Sequence, residues 1–124
     1  MPNNIRIIHA HEFIKATPEG YLDLEESKKV LMEIVSASAL LDDCEVILDT
    51  RKAHVKMSAI NLWYLALELS NLRKTFCRKT AVLCPLERVE YASFFALCAK
   101  NRGLQVQAFT SFEDAIEWLI TNGT

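Results

Sequence analysis

The sequence contains few of the residues that interrupt regular structure. Only six of its 124 residues are glycine or proline, three of each, so we expect no flexible linker and no low-complexity tract. Apolar residues make up 51% of the chain and charged residues 24%, which is typical of a compact folded protein. A chain of this length has room for one substantial core, and we predict a single domain over residues 1–124.

Long apolar runs and an excess of one charge are also missing. No segment approaches the roughly 20 apolar residues that span a bilayer, and the opening residues Met1-Pro2-Asn3-Asn4 do not resemble a secretion signal. The formal net charge is only −2 and the charges are mixed along the chain. The protein therefore has no overall positive potential that would favour binding to nucleic acid or to an anionic membrane. We expect a cytoplasmic protein with no nucleic-acid partner and no stable membrane insertion.

The cysteines and histidines lack the spacing of a metal site or of a disulfide framework. His9 and His11 lie two residues apart with no third ligand near them in sequence. Reduced cysteines pack as small hydrophobic residues, and all four of these lie at wide spacings inside apolar segments: Cys44, Cys77, Cys84 and Cys98. We therefore expect no metal and no cofactor.

Short strands alternate with amphipathic helices along the chain. Two strands over residues 5–10 and 13–17, joined at His11 and Glu12, are expected to pair as a hairpin. Asp23 begins the first helix in capping-box position. The elements that follow are a strand over 44–50, a loop over 51–56, a helix over 58–72, a strand over 80–84, a helix from Pro85 to near Gly103, a strand over 104–109 and a last helix capped by Ser111.

The predicted order of elements is ββαβαβαβα. Helical crossovers between strands are right-handed and make those strands parallel, whereas the first hairpin is antiparallel. The sequence therefore predicts an α/β fold with four helices and a mixed, mostly parallel sheet of about five strands.

The second predicted helix is apolar on two sides. One stripe is expected to face the sheet and consists of Ile60, Trp63, Tyr64 and Leu67. The other stripe lies roughly opposite, at about 100° per residue, and consists of Leu62, Leu65, Leu69 and Leu72. Because a helix buries one stripe against a sheet, the second stripe must meet a neighbouring helix, a partner subunit or an apolar ligand.

The third predicted helix has the same two-sided character. Its first stripe consists of Ala92, Phe95, Ala96 and Ala99, and its second of Tyr91, Phe94 and Cys98. The two helices could pack on each other, form a homodimer interface or enclose a ligand, and the sequence leaves these alternatives open.

Two residues at strand ends could carry chemistry. Cys84 lies between a strand and a helix start, where amide dipoles can activate a thiol and Arg88 could add positive charge, although a buried structural thiol is the more common case. Asp49 ends a buried strand as catalytic carboxylates do, but loop amides or Arg51 could equally hold it as an architectural residue. We favour the structural interpretation of both.

Four short segments, taken in their order and spacing, are similar to those of a known family. They are Gly20-Tyr21-Leu22, Val46-Ile47-Leu48-Asp49, Thr80-Ala81-Val82-Leu83, and Phe109 with Phe112-Glu113-Asp114-Ala115-Ile116-Glu117-Trp118-Leu119. Together they resemble the SpoIIAA-like family of the STAS and Sec14-like fold group, which includes bacterial anti-sigma factor antagonists and, more distantly, lipid-carrying domains. The resemblance covers nearly the whole chain.

The resemblance implies a domain that binds a protein partner, or an apolar or anionic ligand, without a reaction of its own. Anti-sigma factor antagonists carry a phosphorylatable serine at the start of the second helix, in a motif of the type Asp-Ser-Ser-Gly. The corresponding stretch here is Lys56-Met57-Ser58-Ala59, in which Ser58 alone matches. Ser58 is thus a hypothetical regulatory site as well as an expected helix cap.

Three functions follow from these observations. The first is a non-catalytic interaction module for a protein partner, and the alternative is a carrier or sensor of a small apolar or lipid-like ligand held between helices two and three. A thiol enzyme using Cys84 is the third. The candidate partner or ligand surface consists of Arg51, Lys52, His54, Lys56, Leu62, Leu65, Leu69, Tyr91 and Phe94.

Overall fold

Strands and helices alternate throughout the computed structural model, which describes residues 4–8, 13–39, 41 and 44–121. The described strands are β1 (Asn4–Ile8), β2 (Phe13–Thr17), β3 (Gly20–Leu22), β4 (Glu45–Asp49), β5 (Ala53–Val55), β6 (Thr80–Leu83) and β7 (Val106–Phe109). The helices are α1 (Leu24–Ser38), α2 (Ala59–Asn71), α3 (Val89–Lys100) and α4 (Phe112–Ile120), and a turn of 3₁₀ helix spans Leu86–Arg88. The predicted α/β class with four helices is confirmed.

Five of these strands form one mixed sheet in the order β1-β2-β4-β6-β7. β1 and β2 pair antiparallel, as the predicted hairpin requires, and the other three pairs are parallel. Parallel neighbours need a crossover, and here a helix supplies each one. The predicted mixed, mostly parallel sheet is confirmed, while the predicted hairpin connection at His11 and Glu12 falls outside the described residues.

A second, two-stranded sheet was absent from the sequence prediction. β3 pairs parallel with β5, and the amide of Lys56 extends the pairing by donating to the carbonyl of Leu22 at 2.8 Å. Each strand has only three residues, which is too short for an alternating pattern to emerge. The segment 51–56, predicted as a loop, therefore contains a strand that only tertiary pairing stabilises.

The main sheet separates two apolar layers. Alternate residues of β4 point to opposite faces, so Val46 and Leu48 join the larger core cluster and Ile47 joins the smaller one. The larger cluster contains side chains of α1, α2 and α3, and the smaller contains Ala115 and Leu119 of α4. Three helices thus cover one face and α4 covers the other.

Side-chain caps begin three of the helices where the sequence predicts. The side chain of Asp23 accepts from the amide of Glu26 at 2.8 Å, and Ser58 and Ser111 cap α2 and α4. Gly103 follows α3 with φ of 87°, a left-handed conformation that favours glycine. The third helix begins later than predicted, because the 3₁₀ turn Leu86–Arg88 intervenes between Pro85 and α3.

The predicted orientation of α2 is wrong. Leu62, Leu65 and Leu69 are buried in the core, whereas the exposed fractions of Ile60, Trp63 and Tyr64 are 62%, 41% and 48%. Leucines fit the space above the sheet between α1 and α3, while tyrosine and tryptophan at the surface keep their polar atoms in water. These three leucines are therefore core residues and cannot belong to an exposed partner surface.

The first of the two predicted stripes of α3 faces the core. Its members Ala92, Phe95, Ala96 and Ala99 are all buried. The small alanine side chains let α3 approach the sheet and α2 closely. Of its predicted second stripe, Cys98 is buried and Tyr91 and Phe94 are exposed.

Candidate functional site

A cavity of about 90 Å³ lies at the carboxyl ends of β4 and β6. Ligands of open α/β sheets bind at this edge, where the chain turns from strand into helix. Leu48 and Val82 form its floor, and α1, α2 and α3 supply most of its walls. Its position is therefore that of a ligand site in this class of fold.

The walls of the cavity are mainly apolar. Leu62 and Leu65 of α2 and Phe95 of α3 are among the lining residues, and so is Tyr91, which is half exposed. Three of the predicted candidate residues, Leu62, Leu65 and Tyr91, thus line one space, which side chains of α1 also enclose. Leu69 lies deeper in the core and is not among the lining residues.

The side chain of Arg88 forms hydrogen bonds with the backbone of the segment that follows β4. Its Nη1 donates to the carbonyl of Ala53 at 2.9 Å and its Nη2 donates to the carbonyl of Thr50 at 2.7 Å. Thr50 in turn donates from its amide and its Oγ1 to the carbonyl of Leu83, at 2.8 and 2.9 Å. Sequence reasoning considered Arg88 only as a charge near Cys84, because nothing local indicates that its side chain reaches the loop after β4.

Cys84 lies in the cavity wall as a buried thiol. Its Sγ donates to the carbonyl of Phe109 at 3.5 Å. Burial raises the pKa of the Cys84 thiol, and the nearby charge of Arg88 lowers it by less. Activated cysteines have lowered pKa values, so this environment favours a structural thiol over a nucleophile.

Asp49 is held as an ion pair on the α4 side of the sheet. Its carboxylate accepts from Nε and Nη2 of Arg51, both at 2.9 Å, and from the Arg51 amide at 3.1 Å. Lys15 Nζ lies 3.9 Å from it. Burial pushes the pKa of Asp49 upward, but the hydrogen bonds and charge of Arg51, with Lys15, outweigh burial and leave that pKa lowered. The predicted contact between Asp49 and Arg51 is confirmed, and the architectural role of Asp49 stays a prediction.

The other polar candidates lie around β5. The ring of His54 is 5.5 Å from the ring of Tyr21, and Lys56 Nζ lies 5.3 Å from the centre of the same ring. Lys52, His54 and Lys56 are all exposed. They form a basic rim near the start of α2, and their role in binding stays a prediction.

Ser58 forms a capping box at the start of α2. Its Oγ accepts from the amide of Asn61 at 3.3 Å, and the side chain of Asn61 accepts from the Ser58 amide at 3.2 Å. The serine is exposed, so an enzyme can reach it. The predicted cap is confirmed, and the regulatory role stays a prediction.

Large apolar side chains remain exposed on α2 and α3, which pack against each other. The Trp63 ring contacts the Tyr64 ring edge-on at 5.2 Å, and the guanidinium of Arg102 lies 5.0 Å from the Trp63 ring centre. We call this set the outer apolar surface, and its members are Ile60, Trp63, Tyr64, Tyr91, Phe94 and Leu97. Phe94 and Tyr91 are the predicted candidates that belong to it.

Metal-binding clusters and membrane-spanning helices do not occur in the part of the chain that the structure describes. No three His, Cys, Asp or Glu side chains there are grouped so as to hold a metal ion. No described helix combines the length and apolar character needed to cross a bilayer. His9 and His11 fall outside the described residues.

The mixed sheet, with three helices on one face and one on the other, is a SpoIIAA-like α/β fold. A similar solved structure is that of an uncharacterised DUF3478-family protein with a SpoIIAA-like fold from Shewanella loihica PV-4. Its TM-score is 0.63 at 18% identity, over 95% of this chain and 92% of that one. The fold predicted from the resemblance is confirmed.

A second solved structure with this likeness is the anti-sigma factor antagonist SpoIIAA in its unphosphorylated form. Its TM-score is 0.49 at 16% identity, over 94% of this chain and 96% of that one. No family model matches the sequence, and no curated protein matches it. The likeness to the DUF3478-family structure establishes a fold, and function has to be argued from the residues of this chain.

Proposed function

We propose that this protein is a non-catalytic regulatory domain that binds a protein partner through the outer apolar surface of α2 and α3. The observation that carries the proposal is the exposure of Trp63, Tyr64, Tyr91 and Phe94 on two adjacent helices. Tyrosine and tryptophan dominate the binding energy of protein interfaces because they bury large areas at small entropic cost. The resemblance of the sequence to anti-sigma factor antagonists supports the same class of function.

The basic rim fits such an interface. Lys52, His54 and Lys56 are exposed near the start of α2, whose outer side carries Ile60 and Tyr64. Charges at the edge of an interface steer encounter and set specificity, while the apolar centre supplies affinity. We therefore expect the partner to present an apolar patch with acidic residues beside it.

Affinity capture with three baits tests the proposal. Tyr64→Glu places a charge in the outer apolar surface, and Ile120→Glu is its matched control, because Ile120 is an exposed apolar residue of α4 on the opposite face. A partner should be enriched by the parent and by Ile120→Glu and be lost with Tyr64→Glu, with equal helicity of all three by circular dichroism. An identical set of captured proteins on all three baits would contradict the proposal.

Ser58 is the residue through which we propose that the interaction is regulated. A phosphate there would meet the amides at the start of α2, and Lys56 lies two residues before it. Incubation of the purified protein with a lysate of its source organism and ATP should give a phosphate on Ser58 by peptide mass spectrometry. A Ser58 peptide that stays unmodified removes this part of the proposal.

A second candidate function is favoured by the cavity at the carboxyl ends of β4 and β6. An apolar space at this edge of the sheet suits a small apolar ligand. Native mass spectrometry should then detect a bound molecule on the parent and none on Ala92→Leu, which extends a lining side chain into the cavity. A parent that carries no extra mass, or an adduct that persists in Ala92→Leu, would contradict this function.

A further inference from the structure

We infer that the cavity binds a small nonpolar molecule, one that carries no charge and no hydrogen-bonding group. The inference rests on the second function proposed above and names its ligand class. Three features of the site carry it: the apolar character of the walls, the hydrogen bonds that the polar lining residues already make, and the size of the cavity.

The surface of the cavity is almost wholly apolar. Aliphatic side chains from the sheet and from α1, α2 and α3 form most of it, together with the ring of Phe95. Apolar walls favour contact with apolar surface, but they cannot replace the hydrogen bonds that a polar group makes with water. A hydroxyl or a carboxylate that enters the cavity would therefore lose hydrogen bonds and gain none.

Two lining hydroxyl groups direct their hydrogens into the protein. Ser27 Oγ donates to Sδ of Met57 at 3.7 Å. Thr50 Oγ1 donates to the carbonyl of Leu83 at 2.9 Å. Because each hydrogen already has an acceptor, neither hydroxyl offers a ligand a donor without breaking an existing bond.

The side chains of Cys84 and Arg88 are engaged with the backbone in the same way. Cys84 Sγ donates to the carbonyl of Phe109 at 3.5 Å, and burial raises the pKa of this thiol, which keeps it uncharged at neutral pH. The guanidinium of Arg88 donates to the carbonyls of Thr50 and Ala53. Among the described residues, no buried side-chain nitrogen or oxygen lacks a partner, so the walls hold no polar atom that a ligand would have to satisfy.

The size of the cavity limits the ligand. Its volume of about 90 Å³ is smaller than the roughly 150 Å³ cavity that holds benzene in an engineered protein core. A compact molecule of about five carbon atoms suits this volume, whereas the chain of a fatty acid is too long to be enclosed. Cyclopentane is accordingly a suitable probe.

A lipid whose tail alone enters the cavity is the alternative, because its polar head would stay in water. That alternative predicts that a long chain binds more tightly than a small molecule and that a charged end is tolerated. The experiment must therefore compare a small hydrocarbon with its alcohol and with a fatty acid.

The experiment titrates cyclopentane, cyclopentanol and decanoate into the ¹⁵N-labelled parent, Ala92→Leu and Ala59→Leu. The amide signals of Leu62 and Leu65, which line the cavity, report binding by NMR. Ala92→Leu fills the cavity, and Ala59→Leu is the matched control, since Ala59 is an exposed residue of α2 that does not line it. We expect the parent and Ala59→Leu to bind cyclopentane roughly tenfold or more tightly than cyclopentanol, and decanoate more weakly than either. Ala92→Leu should lose the binding.

Each other result has a defined meaning. Cyclopentanol binding as tight as that of cyclopentane overturns the exclusion of polar groups, and decanoate binding tighter than that of cyclopentane replaces the small molecule by a lipid tail; both leave the cavity function intact. Binding of none of the three, or binding that persists in Ala92→Leu, overturns the cavity function itself. If Ala92→Leu does not fold, Ala92→Val, which adds less volume, takes its place, and the order of affinities on the parent still decides the ligand class.

Discussion

At the scale of single residues, the ion pair between the buried Asp49 and the exposed Arg51 is expected to stabilise the end of β4. Replacement of Asp49 by Asn leaves the guanidinium without its carboxylate, and we expect a loss of about 2 kcal/mol in the free energy of unfolding at neutral pH. Chemical denaturation measures this value. Glu45→Gln is the matched control, because Glu45 is less deeply buried and pairs with Arg78 at 3.2 Å; its cost should stay below about 1 kcal/mol.

The same pair predicts a pH dependence. The folded protein holds the pKa of Asp49 below its ordinary value, so the ionised carboxylate stabilises the fold above the unfolded-state pKa of about 3.9. This contribution is lost as the pH falls through the lowered pKa. The stability difference between parent and Asp49→Asn should therefore shrink as the pH falls below about 4. A difference that is constant from neutral to acid pH would contradict the ion pair.

Cysteine alkylation tests the structural interpretation of Cys84. Because burial raises the pKa of this thiol and shields it from solvent, iodoacetamide at neutral pH should label the exposed Cys77 much faster than Cys84. Peptide mass spectrometry after timed quenching measures both rates, and in denaturant the two should become similar. Equal labelling in the folded protein would restore Cys84 as a candidate nucleophile.

At the scale of elements, the orientation of α2 can be tested with neighbouring residues. Leu65→Ala empties a buried site and should cost about 3 kcal/mol. Tyr64→Ala removes an exposed ring and should change the free energy of unfolding by about 0.5 kcal/mol or less. Urea unfolding of both variants gives the comparison. A larger cost for Tyr64→Ala than for Leu65→Ala would restore the orientation predicted from the sequence.

The elements of this chain were predictable to different degrees, for physical reasons. Helix starts followed from Asp23, Ser58 and Ser111, because a cap is a local interaction encoded within four residues. Which side of α2 is buried was not predictable, because both of its sides are apolar. The buried side depends on how α1 and α3 flank the helix. β3 and β5 were missed because their pairing joins segments about 30 residues apart.

At the scale of the whole molecule, the order of strands and helices determined the α/β class and the mixed sheet before any contact was known. The candidate site was harder to predict from the sequence. Leu62, Leu65 and Tyr91 were predicted as part of a ligand or partner surface, and the structure brings them together around the cavity. The hydrogen bonds of Arg88 to the carbonyls of Thr50 and Ala53 depend on the tertiary fold, and no local pattern in the sequence indicates them.

The outer apolar surface is the feature on which the proposed function depends, and photo-crosslinking in living cells tests it most directly. Benzoyl-phenylalanine is placed at Tyr64, within that surface, or at Ile120 on the opposite face as control. The account predicts one discrete adduct with a different protein from position 64 and none from position 120. No adduct from position 64, or an adduct only between two copies of this chain, would contradict binding of a protein partner at this surface.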